Sequence, residues 1–78
     1  MEYIAIFFTH SGAIRCNKLF EASGIKNSLM PVPRKLSSSC GIGTKFIYNG
    51  LVEDIVTEDI EKLYSIVNGE YKLIYEKE

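Results

Sequence analysis

The sequence predicts an α+β domain of the ferredoxin-like βαββαβ class, with a four-stranded antiparallel sheet and two helices on one face. Three observations support this prediction. Runs of β-branched and aromatic residues alternate with two segments of helical spacing. Their order is strand, helix, strand, strand, helix, strand, which is the split βαβ order. The length of 78 residues suits one small domain spanning residues 1–78.

The first half of the chain supplies a strand, a helix and a second strand. Residues 3–8 form a continuous β-branched and aromatic run, typical of a buried strand. Thr9 or Ser11 is expected to cap a helix over residues 13–23, because a side-chain oxygen there can accept a bond from a free backbone amide. Residues 25–32 are expected to form the second strand. Its prolines cannot donate to a ladder, so they indicate a sheet edge or a strand end.

The second half is predicted to contain two more strands and a second helix. Residues 44–48 alternate as a third strand, and Asn49-Gly50 follows as a turn signal. The second helix is predicted over residues 57–68. Its apolar stripe consists of Ile60, Leu63, Tyr64 and Val67. Residues 71–75 alternate as the final strand, and the sheet face away from the helices is expected to be open to a partner.

Composition and charge exclude several classes of partner. The net charge is -1, which gives no electrostatic reason to expect nucleic acid. Residues 3–8 are too short to span a bilayer, and no signal-peptide pattern is present. We therefore expect a cytoplasmic protein with reduced thiols and no membrane partner. A chain this small has little stability in reserve, which leaves a homodimer open.

The second cysteine, Cys16, is interpreted as a core residue. It recurs with Ala13 and Phe20 at helical spacing, and cysteine is among the most often buried residues. Two cysteines do not make a disulfide framework, although a Cys16–Cys40 bridge stays open. The spacings of His10, Cys16 and Cys40 fit no common zinc pattern, so neither a metal nor a cofactor is expected.

The residues around Cys40 concentrate groups that stabilise a sulfur anion. Two cations and three serines precede this cysteine, and two glycines follow it. The thiolate is the nucleophilic form of cysteine. Cations, hydroxyl donors and glycine-rich backbone amides all stabilise an anion. We therefore interpret Cys40 as the reactive residue. The supporting anion site is predicted to consist of Arg34, Ser39, Gly41 and Gly43.

Alternative interpretations of this segment stay open. If residues 33–40 form a short helix, Cys40 lies at its negative end, and the helix dipole disfavours a thiolate. Cys40 can also be a small buried apolar residue before a strand. His10 is a candidate base or proton donor for Cys40 if the loops converge. An exposed or loop-capping histidine is the simpler interpretation of His10.

The run PVPRKLSSSCG at residues 31–41 resembles the core motif of the small bacterial selenium/sulfur carrier-like proteins, a family of domains of unknown function. The resemblance also covers the first strand and the opening of the first helix. It implies that Cys40 is the carrier cysteine of the family, Arg34 its arginine and Gly41 its glycine. Lys35 and Asn17 depart from the family pattern, which commonly has acidic residues at these positions.

Two classes of function follow. The resemblance implies a sulfur or selenium carrier, an accessory protein rather than a stand-alone enzyme. It would accept a persulfide from a protein donor such as a cysteine desulfurase and pass it to an unidentified protein acceptor. The alternative is a non-catalytic interaction or regulatory module with a structural or redox-sensitive cysteine. In that case Tyr48, Tyr71 and Tyr75 would supply an aromatic surface.

Overall fold

The computed structural model describes residues 1–36 and 38–77. These residues form an α+β fold with one α-helix and five strands. The elements are β1 (Glu2–Phe7), α1 (His10–Ala22), β2 (Asn27–Pro31), β3 (Ile42–Ile47), β4 (Ile60–Val67) and β5 (Glu70–Glu76). A 3-10 turn at Val52–Asp54 lies between β3 and β4. The α+β class is therefore confirmed, and the order of elements agrees with the prediction through β3.

The five strands form one antiparallel sheet in the order β2-β3-β1-β4-β5. Strand β3 lies between β1 and β2, so β1, α1 and β2 form the predicted split βαβ unit. Strand β1 is central and pairs on both sides. Every residue from Tyr3 to Phe7 is buried, which explains the continuous apolar run of this strand.

The helix α1 begins earlier than predicted, at His10. Thr9 is its N-cap, and its Oγ1 accepts a hydrogen bond of 2.9 Å from the backbone amide of Gly12. The helix packs against β1, β2 and β3. Its buried side chains include Ala13, Cys16 and Phe20, as the spacing predicted.

The predicted second helix over residues 57–68 is wrong, because β4 occupies most of this segment. Strand β4 pairs with β1, and the register shifts where Phe7 pairs with Ile60 and Ile6 pairs with Lys62. One extra residue, Glu61, is therefore accommodated as a β-bulge. The bulge turns Ile60 and Leu63 to the same face although they are three positions apart. It thereby imitates the spacing of an apolar helix face.

The predicted sheet of four strands with two helices is accordingly corrected to five strands with one helix. Strands β4 and β5 form a hairpin whose two-residue loop is Asn68-Gly69. Both loop residues have positive φ, 51° and 77°, as a type I′ turn requires. The predicted helix over residues 57–68 would have ended at this Asn-Gly pair. The residues that cover the core in place of the second helix include Val52, Ile55 and Val56.

The two faces of the sheet differ. Tyr3, Ala5 and Phe7 project into the core under α1, and Ile4 and Ile6 alternate to the opposite face. That opposite face, which we call the open face, also carries exposed apolar side chains from β3 and β5. They include Ile47, which is 55% exposed, and Leu73, which is 45% exposed.

The aromatic surface differs from the expectation. Tyr48 and Tyr75 are partly buried and pack against the core. Tyr71 lies on the open face, where its ring meets that of Tyr64 edge-on with centroids 6.5 Å apart. No helix in the described part of the chain is long and apolar enough to cross a bilayer.

The two edges of the sheet are unlike each other. Edge strand β2 pairs with β3 through an unbroken register. Edge strand β5 is irregular, because Leu63 pairs with Tyr75 whereas Tyr64 pairs with Leu73. Ile74 is the extra residue of this bulge. Only β2 therefore offers a regular edge, and the loop that carries Cys40 begins where β2 ends.

Candidate functional site

Cys40 lies at the end of the loop that joins β2 to β3. A turn in which the amide of Leu36 donates to the carbonyl of Pro33, at 3.0 Å, begins this loop. The amide of Val32 donates to the carbonyl of Gly41, at 2.9 Å, and closes its base. None of the described residues between 33 and 40 is helical. These residues therefore do not form the short helix whose negative end would have lain at Cys40.

The hydroxyl of Ser38 organises the backbone around Cys40. Its Oγ accepts hydrogen bonds from the amides of Cys40, at 3.3 Å, and Gly41, at 3.1 Å. The amide of Ser39 donates to Oε1 of Glu61 at 3.2 Å, which ties the loop to the bulge of β4. These three amides are thus directed at oxygen atoms and not at the sulfur.

The sulfur of Cys40 is partly buried and faces carbonyl oxygens. Its Sγ lies 3.1 Å from the carbonyl oxygen of Phe7 and 3.6 Å from that of Ile42, as a donor to both. The side chain also packs against the edge of the hydrophobic core. In this arrangement Cys40 is a thiol, because only S–H can donate to a carbonyl.

His10, the first residue of α1, contacts the same loop. Its Nε2 lies 2.8 Å from the carbonyl oxygen of Cys40. A carbonyl only accepts, so Nε2 carries the proton and donates. The structure therefore brings His10 to Cys40, as the convergence of loops would require, but places its ring nitrogen on the backbone and not on the sulfur.

The residues predicted to form an anion site are dispersed in this structure. Arg34 and Lys35 are exposed on the turn that begins the loop, and neither is paired with a described carboxylate. Gly43 lies inside β3, where an added Cβ would come within 2.8 Å of the carbonyl oxygen of Ala5. Close approach of two strands thus explains this glycine.

The loop requires a glycine at position 41 because of its backbone conformation. Its φ is 78°, in the left-handed region that favours glycine. Within the described residues, neither Ser39 nor Gly41 forms a hydrogen bond with the sulfur, because their amides donate to Glu61 and Ser38. Ser37, which was also a candidate hydroxyl donor, lies outside the described residues.

Three residues at the site were not found from the sequence. Phe7 and Ile42 contribute through their carbonyl oxygens, which carry no residue-type signal. Glu61 was assigned to a helix, so its contact with the Ser39 amide could not be anticipated. The only available signal was the position of Phe7 at the end of the first strand, where loops converge.

Cys16 is buried, whereas Cys40 is only partly buried. The side chain of Cys16 is 2% exposed, and burial raises the pKa of its thiol to about 12, with a smaller contribution from the negative charge of Asp59. Its interpretation as a core residue is confirmed. Both cysteines are free, so the Cys16–Cys40 bridge is not formed.

A shallow apolar groove lies beside the Cys40 loop and has a volume of about 340 Å³. It is lined by His10, Leu29, Met30, Pro31, Gly41 and Ile42. Across residues 1–36 and 38–77, no three His, Cys, Asp or Glu side chains are grouped to hold a metal ion.

These features define a small α+β protein whose more accessible thiol lies on a loop at the regular edge of its sheet. The chain belongs to the family described as "Putative Se/S carrier protein-like", whose model matches residues 2–76. The resemblance found at residues 31–41 is thereby confirmed and extends over nearly the whole chain. No curated protein and no solved structure matches it.

Proposed function

We propose that this protein carries sulfur or selenium on the thiol of Cys40. The match to the carrier-like family over residues 2–76 supports the class of function. The contrast between the two thiols supports the choice of Cys40. Cys16 is sealed in the core, whereas Cys40 is partly exposed on a loop. Reactivity of a cysteine depends on access and on thiolate formation, and burial opposes both at Cys16.

The transfer step needs only a donor persulfide, R–S–SH. Cys40 loses its proton, and its sulfur attacks the terminal sulfur of the donor. The donor S–S bond breaks, the donor leaves as a thiolate that takes up a proton, and Cys40–S–SH remains. An acceptor thiol then attacks the same terminal sulfur and releases Cys40 as a thiol. Atoms and electrons balance without an oxidant, a metal or a cofactor.

The loop must rearrange for this step, because the sulfur in the described state donates to Phe7. Movement of the side chain away from the Phe7 carbonyl would free the sulfur. The exposed guanidinium of Arg34 lies on the same loop and is then available to stabilise an anionic persulfide.

Intact-protein mass spectrometry tests the proposal. The protein is incubated with a cysteine desulfurase and L-cysteine, and we expect a mass gain of one sulfur atom that dithiothreitol removes. Cys40→Ser should abolish the gain. Cys16→Ser is the matched control and should retain it. Absence of the gain in the wild type, or an equal gain in Cys40→Ser, contradicts the proposal.

A second candidate function, an interaction module with a structural cysteine, is favoured by two observations. The hydrogen bond from Cys40 Sγ to Phe7 and its packing against the core are what a structural thiol would show. This candidate predicts that native Cys40 resists iodoacetamide and that Cys40→Ala chiefly lowers stability. The carrier proposal predicts alkylation of the native protein at Cys40.

A further inference from the structure

The outer edge of β2 presents backbone groups that no other strand uses. Two hydrogen bonds fix their directions: Val32 N to Gly41 O, and Ile47 N to Lys26 O. In an antiparallel pair, residues alternate between bonding to the neighbouring strand and pointing away from it. With the register of β2 and β3, the backbone groups that point outward belong to Asn27, Leu29 and Pro31.

The groove beside the Cys40 loop follows this same edge. The side chains of Leu29 and Pro31 lie in its wall, and Leu29 is 38% exposed. His10, whose ring nitrogen donates to the carbonyl of Cys40, also lines the groove. The edge therefore combines free main-chain groups with an apolar groove that ends at the reactive loop. Strand addition uses this combination, with main-chain bonds for affinity and side-chain grooves for specificity.

Charge on the turn just beyond the end of β2 favours one chemistry for the added strand. Arg34 and Lys35 lie on the turn that directly follows β2, are exposed, and pair with no carboxylate within residues 1–36 and 38–77. Unpaired cations at a docking site are complemented by acidic groups of the partner. The acidic end of the added strand would then lie beside Cys40.

Building on the proposed carrier function, we infer that β2 docks an extended segment of the protein that donates the sulfur. The segment is apolar where it fills the groove and acidic where it meets Arg34 and Lys35. Docking brings the donor persulfide to the loop, because Gly41 and Ile42 form both the end of the groove and the neighbours of Cys40.

Two persulfide donors distinguish an effect on docking of the donor protein from an effect on the sulfur-transfer reaction itself. A persulfidated cysteine desulfurase is the protein donor, and glutathione persulfide is the small donor that cannot occupy the edge. The measured quantity is the ratio of the two rates at which Cys40 gains sulfur. We expect this ratio to fall at least about tenfold in Leu29→Pro, which removes an outward N–H and part of the groove wall.

A charge variant keeps the test valid if Leu29→Pro does not fold. Lys35→Glu should lower the ratio, and the fall should diminish at high salt because screening weakens the charge contact. Lys72→Glu is the matched control, since Lys72 is an exposed lysine on β5 at the opposite edge. It should keep the wild-type ratio.

The outcomes distinguish failure of the carrier function from failure of docking at β2. If neither donor loads Cys40, the carrier function fails. If both donors load Cys40 but the ratio of their rates is unchanged in Leu29→Pro and Lys35→Glu, the carrier function is supported and docking at β2 is overturned. Wild-type loading by the desulfurase that is no faster than loading by glutathione persulfide also overturns docking. If sedimentation shows a dimer that Leu29→Pro dissociates, the edge belongs to a second copy, and the inference is wrong.

Discussion

The thiol of Cys40 and the carbonyl oxygen of Phe7 are 3.1 Å apart, so the loop between β2 and β3 is attached to the end of the central strand through the sulfur of Cys40. His10, three residues after Phe7, fastens the carbonyl of the same cysteine. The junction between β1 and α1 thus holds both the side chain and the backbone of Cys40. A sulfur held in this way becomes a nucleophile only after the contact with Phe7 is broken.

Iodoacetamide should modify Cys40 before Cys16. We expect iodoacetamide to alkylate Cys40 in the native protein at least about tenfold faster than Cys16, whose burial and raised pKa leave almost no thiolate near neutral pH. Peptide mapping by mass spectrometry measures both rates. In urea the two rates should converge. Alkylation of native Cys16 at the rate of Cys40 would contradict the packing described for α1.

Replacement of His10 should change the rate at Cys40 through the backbone. We expect His10→Ala to loosen the loop and speed alkylation of Cys40. His10→Gln should retain the wild-type rate, because its amide nitrogen can still donate to the Cys40 carbonyl. Both rates are measured as functions of pH. If His10 were instead a base for the sulfur, both variants would slow alkylation equally and change the pH profile.

Substitution of Gly43 should destabilise the sheet. In Gly43→Ala the new Cβ meets the carbonyl oxygen of Ala5 at 2.8 Å, and neither backbone can move without separating β1 from β3. The expected loss in free energy of unfolding is about 1–3 kcal/mol, typical of overpacking. Urea denaturation measures it. Gly41→Ala is the comparison, because its Cβ meets no atom within 4 Å and its cost comes from the positive φ alone.

Two leucines test the strand assignment of residues 60–67. Leu63 on β4 is fully buried, so Leu63→Ala should lower the free energy of unfolding by about 2–5 kcal/mol. Leu73 on the neighbouring strand is 45% exposed on the open face, and Leu73→Ala should cost less than about 1 kcal/mol. Equal costs in urea denaturation would contradict the register of the hairpin.

The ion pair between Arg15 and Asp59 should make stability depend on pH in the acid range. Arg15 donates to both carboxylate oxygens, at 2.8 and 3.1 Å, and lowers the pKa of Asp59. A depressed folded pKa contributes stability above the unfolded pKa, which is about 3.9, and this contribution is lost as pH falls through the folded value.

Asp59→Asn should therefore be less stable than the wild type near neutral pH, by a small amount because the pair is exposed to solvent. The difference should vanish in strong acid. Urea denaturation at several pH values measures it, with Glu58→Gln as the control. A difference that persists unchanged below the folded pKa would show that charge is not its cause.

The first half of the fold could be predicted because local and tertiary signals agree there. The apolar run of β1 and the helical spacing of Cys16 agree with the packing, and the structure selects Thr9 from the two cap candidates, Thr9 and Ser11. The segment from Ile60 to Val67 could not be assigned, because the bulge at Glu61 converts a strand pattern into a spacing of three. A bulge depends on the partner strand and leaves no signal in the sequence of β4 itself.

The candidate site could be predicted only as far as its residue types. The sequence pointed to Cys40 and to a loop around it, and the loop geometry requires Gly41 to have a positive φ. It could not show that the sulfur faces two carbonyl oxygens, since those belong to backbone groups of Phe7 and Ile42. It also could not separate Gly43, whose role is close strand contact, from a glycine that binds an anion.

The bulge at Ile74 limits how this protein can assemble. A sheet with two regular edges can grow in both directions, and such growth leads to open-ended fibres. Here the register of β5 breaks at Ile74, while β2 stays regular from Asn27 to Pro31. A complex formed by strand addition at β2 would therefore end after one added strand, because β5 offers no regular edge for a second.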